Sequence, residues 1–169
     1  MHAGAAVGWN VSTPMATPRA QHAGVLMDDG SVAVFGGVNA SGFVTSSERY
    51  LGGTWTSLGN PGIQGNVFEA VTLGTGQSLV RSDGSQGARL YDPVSNTWSA
   101  GGVQTVTRSL PSMTLLNSGK VLLAGGSNHS SAEIYDPHTR TWTPTGSMSV
   151  ARRAHGAVLL PDGRVLVAT

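Results

Sequence analysis

The stretch AEIYDPHTRTW, Ala132 to Trp142, repeats a phrase written 44 residues earlier as ARLYDPVSNTW, Ala88 to Trp98. Each copy joins an alanine and an apolar residue to Tyr-Asp-Pro, with a tryptophan five residues beyond the proline. Working outward, the four tryptophans Trp9, Trp55, Trp98 and Trp142 stand 46, 43 and 44 residues apart. A second marker keeps the same series. Gly30, Gly76, Gly119 and Gly163 each sit in a short polar turn between two apolar runs, as in LMDDGSVAVF, LGTGQSLV, LLNSGKVLLA and LLPDGRVLVA. Two independent markers on one period define an internal repeat.

Within each unit, short β-branched or apolar runs alternate with Gly, Asp-Gly, Ser-Gly or Asp-Pro signals, and no stretch has the 3.6-residue period of a helix. The unit reads as four strands. Strand a is AGVLM (Ala23 to Met27), AVTL, MTLL or AVLL; strand b is SVAVF, SLV, KVLLA or RVLVA. A turn that favours positive φ joins them. A loop opened by a glycine pair leads to strand c (SERYL, ARLYD or AEIYD), and a short turn leads to strand d around the tryptophan. Four strands in about 44 residues, repeated, predict an all-β chain of β-propeller blades. The opening phrase is then an outer hairpin. Its Asp-Pro starts the turn, and Tyr91, Trp98, Tyr135 and Trp142 supply large apolar surfaces with one polar atom each for packing between blades.

Composition narrows the function. The 169 residues hold 24 glycines, only 11% charged residues and a net charge of +1, so no broad field draws nucleic acid or an anionic membrane. There is no cysteine, which rules out a disulfide frame and a thiolate metal site within the sequence. No apolar run approaches the roughly 20 residues of a membrane span. The opening MHAGAAVGWN lacks the basic region and apolar core of a signal peptide. The expectation is a cytoplasmic protein, or an extracellular or periplasmic one if a leader precedes this sequence.

The residues Gly36, Gly37, Tyr50 and Trp55, and again Gly125, Gly126, Tyr135 and Trp142, follow the pattern of an apolar run, Gly-Gly, a variable loop, Tyr and Trp. In this the chain resembles the Kelch-repeat family. The wording LLNSGKVLLAGG…AEIYDP…TW is similar to bacterial Kelch proteins related to the central propeller of galactose oxidase. Departures are visible too: Arg81-Ser82-Asp83 replace the glycine pair of the second unit, and LGGTW shortens the c–d turn of the first.

The expected organisation is the end of a blade at 1–13, blades at 20–60, 66–104 and 110–148, and the first strands of another blade at 154–169. The pieces at the two chain ends together fall about eight residues short of one repeat. Three arrangements stay open: a closed four-bladed ring, part of a larger propeller, or an arc completed by another copy.

The family's geometry implies that d–a and b–c loops share one face of the disc. Ten residues after each tryptophan stand Arg19, Gly65, Arg108 and Arg152; thirteen after stand His22, Phe68, Pro111 and His155. The resemblance places Arg19, His22, Arg108, Arg152 and His155 around the channel mouth, where arginine forks suit carboxylates and phosphates. The competing reading makes them repeat residues that bond backbone carbonyls of the neighbouring blade. The b–c loops add Asn39, Asn128 and His129 on the same face. Asn39, Asn128 and Asn10 also open N-x-Ser acceptors, which a Ser/Thr-rich chain produces by chance. Asp28, Asp29 and Asp162 fall in a–b turns on the opposite face and read as turn formers.

The copper site of the related oxidases needs a cysteine-linked tyrosine. Here there is no cysteine, and Tyr50, Tyr91 and Tyr135 precede Leu51, Asp92 and Asp136 rather than histidine. No GxSxG, HExxH or phosphate loop occurs. The reading is a non-catalytic binding or scaffolding propeller without a cofactor, recognising a protein segment or glycan. A fragment of a carbohydrate oxidase and a subunit that self-associates through open blades are the alternatives.

Overall fold

The computed structural model describes residues 8, 11–65 and 68–168; Trp9, Asn10 and the greater part of the expected 1–13 segment lie outside them. The first unit runs through β1 (Ala23–Leu26), β2 (Val32–Phe35), a short pair β3 (Val38–Asn39) and β4 (Gly42–Phe43), β5 (Ser47–Leu51) and β6 (Thr54–Gly59). The second comprises β7 (Phe68–Thr72), β8 (Ser78–Ser82), β9 (Gly87–Asp92) and β10 (Thr97–Val103). The third comprises β11 (Ser112–Leu115), β12 (Val121–Ala124), β13 (Ala132–Asp136) and β14 (Thr141–Thr145). A hairpin of β15 (Gly156–Leu159) and β16 (Val165–Ala168) follows.

Each four-stranded sheet is an antiparallel meander in chain order, β1-β2-β5-β6, β7-β8-β9-β10 and β11-β12-β13-β14. The innermost strands β1, β7, β11 and β15 lie beside one another in succession. Such sheets fit the blade arrangement of a β-propeller. The pair β3–β4 is an addition to the first b–c loop that the repeat did not foretell.

The a–b turn has one construction throughout. In the first unit Met27 N–H donates to Ser31 O and Gly30 N–H to Met27 O; the same two bonds recur around Gly76, Gly119 and Gly163. All four glycines hold φ between +78° and +85°, a region costly for a residue with a Cβ. That backbone demand is why the glycine marker keeps the period.

The shortened LGGTW turn is a two-residue hairpin turn, with Gly52 and Gly53 both at positive φ between the paired Leu51 and Thr54. The Asp-Pro turns form as read from the sequence. Asp92 accepts from the amides of Val94 and Ser95, and Asp136 from that of His138.

Tyrosine and tryptophan of the repeated phrase stand directly opposite each other across strands c and d. Their ring centroids lie 5.1, 5.1 and 4.9 Å apart in the three units. Each indole N–H then leaves its own sheet. Trp98 donates to Leu58 O at 2.8 Å, Trp142 to Gly101 O at 3.1 Å and Trp55 to Thr13 O at 2.8 Å. Leu58 and Gly101 are on the outer strands β6 and β10 of the preceding sheets. The tryptophan therefore bolts a blade to the one before it.

The core lies between the sheets. Ala23, Val25, Met27, Ala33 and Phe35 of the first unit pack with Val80, Tyr91 and Trp98 of the second. Leu73, Leu79 and Leu90 of the second pack with Val121, Leu123, Tyr135 and Trp142 of the third. The pleat sends alternate residues of each strand to the blade on either side.

Candidate functional site

The d–a and b–c loops interlock along one face. Ala20 pairs with Val38, Asp83 accepts from Ser109 Oγ and the Leu110 amide, Ser127 N–H donates to Ser109 O, and Gly126 N–H donates to Arg152 O. This face gathers the residues that the sequence singled out.

Arg19 and Arg108 occupy equivalent positions and make the same bonds through Nη1 and Nη2. Nη1 of Arg19 donates to Gly36 O and Ser46 O, and Nη2 to Ser46 Oγ and to Glu48 Oε1 at 2.6 Å. Nη1 of Arg108 donates to Gly125 O and Ser131 O, and Nη2 to Ser131 Oγ and to Glu133 Oε1 at 3.1 Å. Both guanidinium groups are buried. The glutamates reach onward, Glu48 accepting from the amides of Ala16 and Thr17 and Glu133 from that of Thr105. Each pair clamps the incoming d–a loop to the b–c loop of its own blade. Burial alone would push the Glu48 carboxyl up, but the bonds from Arg19 and the two amides outweigh it and hold it below the usual range.

Expected as open forks at a channel mouth, Arg19 and Arg108 are thus spent on internal acceptors. They bond carbonyls within their own blade rather than across to a neighbour. The glutamates were not singled out, although a signal existed. The unit with Gly65 in place of the arginine carries Arg89 in place of the glutamate, so both members change together.

His22 is half-buried beside Gly37, and its imidazole is held below its ordinary pKa by burial first and by Arg19 second. His155 is buried, and one ring nitrogen lies 2.9 Å from Ser112 Oγ. Burial, and then Arg152, depress it in the same direction. Arg152 is half-buried in the last d–a loop, where its amide donates to His129 O and its carbonyl accepts from Gly126. Asn39 donates to Pro18 O and accepts from the Ser41 amide, which braces β3–β4. Asn128 is exposed and His129 half-buried. Close to Asn39, Phe43 on β4 is 59% exposed.

The second unit solves the same face differently. Where the first blade has Ala23 opposite Phe35 and the third Ser112 opposite Ala124, the second has Glu69 and Arg81, paired at 2.5 Å with Arg81 Nη2 donating to Arg108 O. Burial pushes the Glu69 carboxyl up to about 7; Arg81 pulls it down and Asp83 adds to the rise.

A raised carboxylate pKa favours the folded state while protonated. Its contribution is complete below about pH 4.3 and is lost as pH climbs through 7. The depressed histidines work the other way up to about pH 6.5. The expected result is therefore a difference: relative to wild type, Glu69→Gln flattens the fall of melting temperature between pH 4.5 and 7. Parallel melting curves for the two proteins would contradict it.

The opposite face carries a cleft of about 540 Å³, lined by Met27, Asp28, Asp29, Gln77, Asp92 and Val94 with neighbouring turn residues. A smaller cleft of about 200 Å³ occurs one blade on, around Thr75, Lys120 and His138. Asp29 is engaged by Ser31 and Arg49, and Asp92 by Gln77 and two backbone amides. These carboxylates act as turn formers. Among the described residues no group of three or more His, Cys, Asp or Glu could hold a metal ion, and no helix is long and apolar enough to cross a membrane.

A family model for the Kelch motif matches residues 117–149. This span covers the a–b turn of the third unit, its glycine pair, and the Tyr135–Trp142 hairpin. The motif and the all-β architecture together support a Kelch-type fold. No curated protein matches the chain.

Proposed function

We propose that the chain is a non-catalytic binding propeller that takes a protein segment on the face of its d–a and b–c loops. Kelch repeats generally mediate protein–protein interaction, and the chain carries such a motif. The observation that carries the choice of face is Phe43. An exposed aromatic on a braced hairpin, β3–β4, is the kind of residue that anchors protein interfaces. Asn39, Asn128, His129 and Arg152 surround this face with polar groups suited to specificity. Arg19 and Arg108 contribute by stiffening the loops, which lowers the entropy lost on binding.

The test selects peptides from a displayed library against the intact chain and measures them on variants. Phe43→Ala and Asn128→Ala should each weaken the selected peptides by about tenfold or more, as loss of an interface anchor does. Val94→Asp, in the cleft of the other face, should leave them unchanged. Loss of binding on Val94→Asp alone would move the site to the turn face. Capture of oligosaccharides but no peptide would replace the protein segment by a glycan.

A further inference from the structure

We propose that the turn-face cleft between the first two blades takes a lysine side chain presented by a partner segment, apart from any binding on the loop face. The third unit carries the argument, because it holds such a side chain of its own at the equivalent place. The a–b turns correspond bond for bond: the amides of Met27, Leu73 and Leu116 donate to Ser31 O, Gln77 O and Lys120 O. Gln77 of the second unit therefore stands where the third has Lys120, and Asp92 of its Tyr-Asp-Pro where the third has Asp136. At the smaller cleft Lys120 Nζ bonds Asp136 Oδ2 at 2.9 Å. At the larger one the same aspartate meets a neutral side chain instead, Gln77 Nε2 at 3.3 Å.

What remains at the larger cleft is negative charge short of a cation. Asp28 is exposed, and among the described residues its carboxylate has neither a hydrogen bond nor an ion pair. Its Oδ2 lies 3.2 Å from where a Cβ on Gly76 would stand, so this carboxylate reaches across from the first a–b turn to the second. Asp29 is matched by Arg49, but the amides and Gln77 that hold Asp92 leave its charge in place. None of the described residues lining the cleft is Lys, Arg or His. In the smaller cleft Gly74 and Thr75 replace Asp28 and Asp29. The carboxylates do not converge on a metal ion, and about 540 Å³ is the size of a cleft for an organic ligand. Met27, Pro93 and Val94 add apolar wall, which an aliphatic stem covers while its ammonium reaches the acids. Space beyond one side chain accommodates the backbone of the segment that bears it.

The experiment follows amide NMR spectra of the full chain during titration with three probes. They are acetyl-Gly-Lys-Gly-amide, its norleucine counterpart, which keeps the stem without the charge, and n-butylamine. The lysine peptide should shift amides around Asp28, Gln77 and Val94 and leave those around Phe43 unmoved. The norleucine peptide should shift none, and n-butylamine should bind several-fold more weakly than the lysine peptide. Asp28→Asn should weaken the lysine peptide by about threefold or more, as loss of an ion-pair partner does. Gln77→Lys, which copies the pair of the third unit into the cleft, should abolish its binding. Spectra of both variants should match wild type away from the turns, since neither position is in the core. Norleucine binding as well as lysine, or Gln77→Lys binding at wild-type strength, overturns the proposal, as does an absence of shifts at the cleft. Equal binding of n-butylamine and the peptide would make the ligand a free amine and overturn the assignment to a partner segment.

Discussion

Arg108→Ala should lower stability by about 3–5 kcal/mol, the usual cost of stranding one member of a buried ion pair. In a chain of this size that is a fall in melting temperature of roughly 6–20 °C. The loss is large because Arg108 has no solvent to fall back on and serves four acceptors: Gly125 O, Ser131 O, Ser131 Oγ and Glu133. Its removal leaves Glu133 buried and reliant on the Thr105 amide. Lysine should recover little, since a single ammonium cannot replace a planar fork on so many oxygens. Arg108→Met combined with Glu133→Leu should be far less damaging than Arg108→Ala, because no orphan charge remains. Thermal melting of the three variants checks the series. Equal melting of Arg108→Ala and wild type would show that the arginine is held for a ligand instead.

Phe35→Ala should cost about as much, roughly 3–5 kcal/mol, through lost burial and the cavity left behind. Phe35 is fully buried where the first two blades meet, with Trp98 edge-on at 5.6 Å and Tyr91 at 6.4 Å. The substitution empties the centre of that interface. Denaturant unfolding should show it, with Val94→Ala as control. Val94 is 95% exposed, and such surface changes stay within about 0.5 kcal/mol. A loss below 1 kcal/mol for Phe35→Ala would mean that the blades close over the gap.

Sheet order and aromatic pairing were readable because each is local. Tyr91 and Trp98 are neighbours along one hairpin, and the turn glycines answer a backbone need at fixed spacing. Strand ends were less so: β7 starts at Phe68 rather than Ala70 because Glu69 pairs with Arg81 across the strands. The clamp was half visible. Arg19 and Arg108 stood out by period, but their glutamates lie across a b–c loop of varying length, 29 residues on in one unit and 25 in the other. The larger cleft was invisible in the sequence, since its walls come from a–b turns of two units and the c–d turn of the second. Hairpin β3–β4 also escaped notice, for it occurs in one unit alone and no repeat announces it.

The indole bonds have a direction. Among the described residues Trp55, Trp98 and Trp142 each reach backward, from their own blade to a carbonyl of the segment before it. A blade therefore depends on its predecessor for this bond while owing its successor only an acceptor. Trimming from the C-terminal side removes donors together with the blade that carries them. Trimming from the N-terminal side leaves an indole N–H behind with its acceptor gone. The chain is in this respect built like shingles, each one hooked to the course laid before it, and it sheds its last course more cheaply than its first.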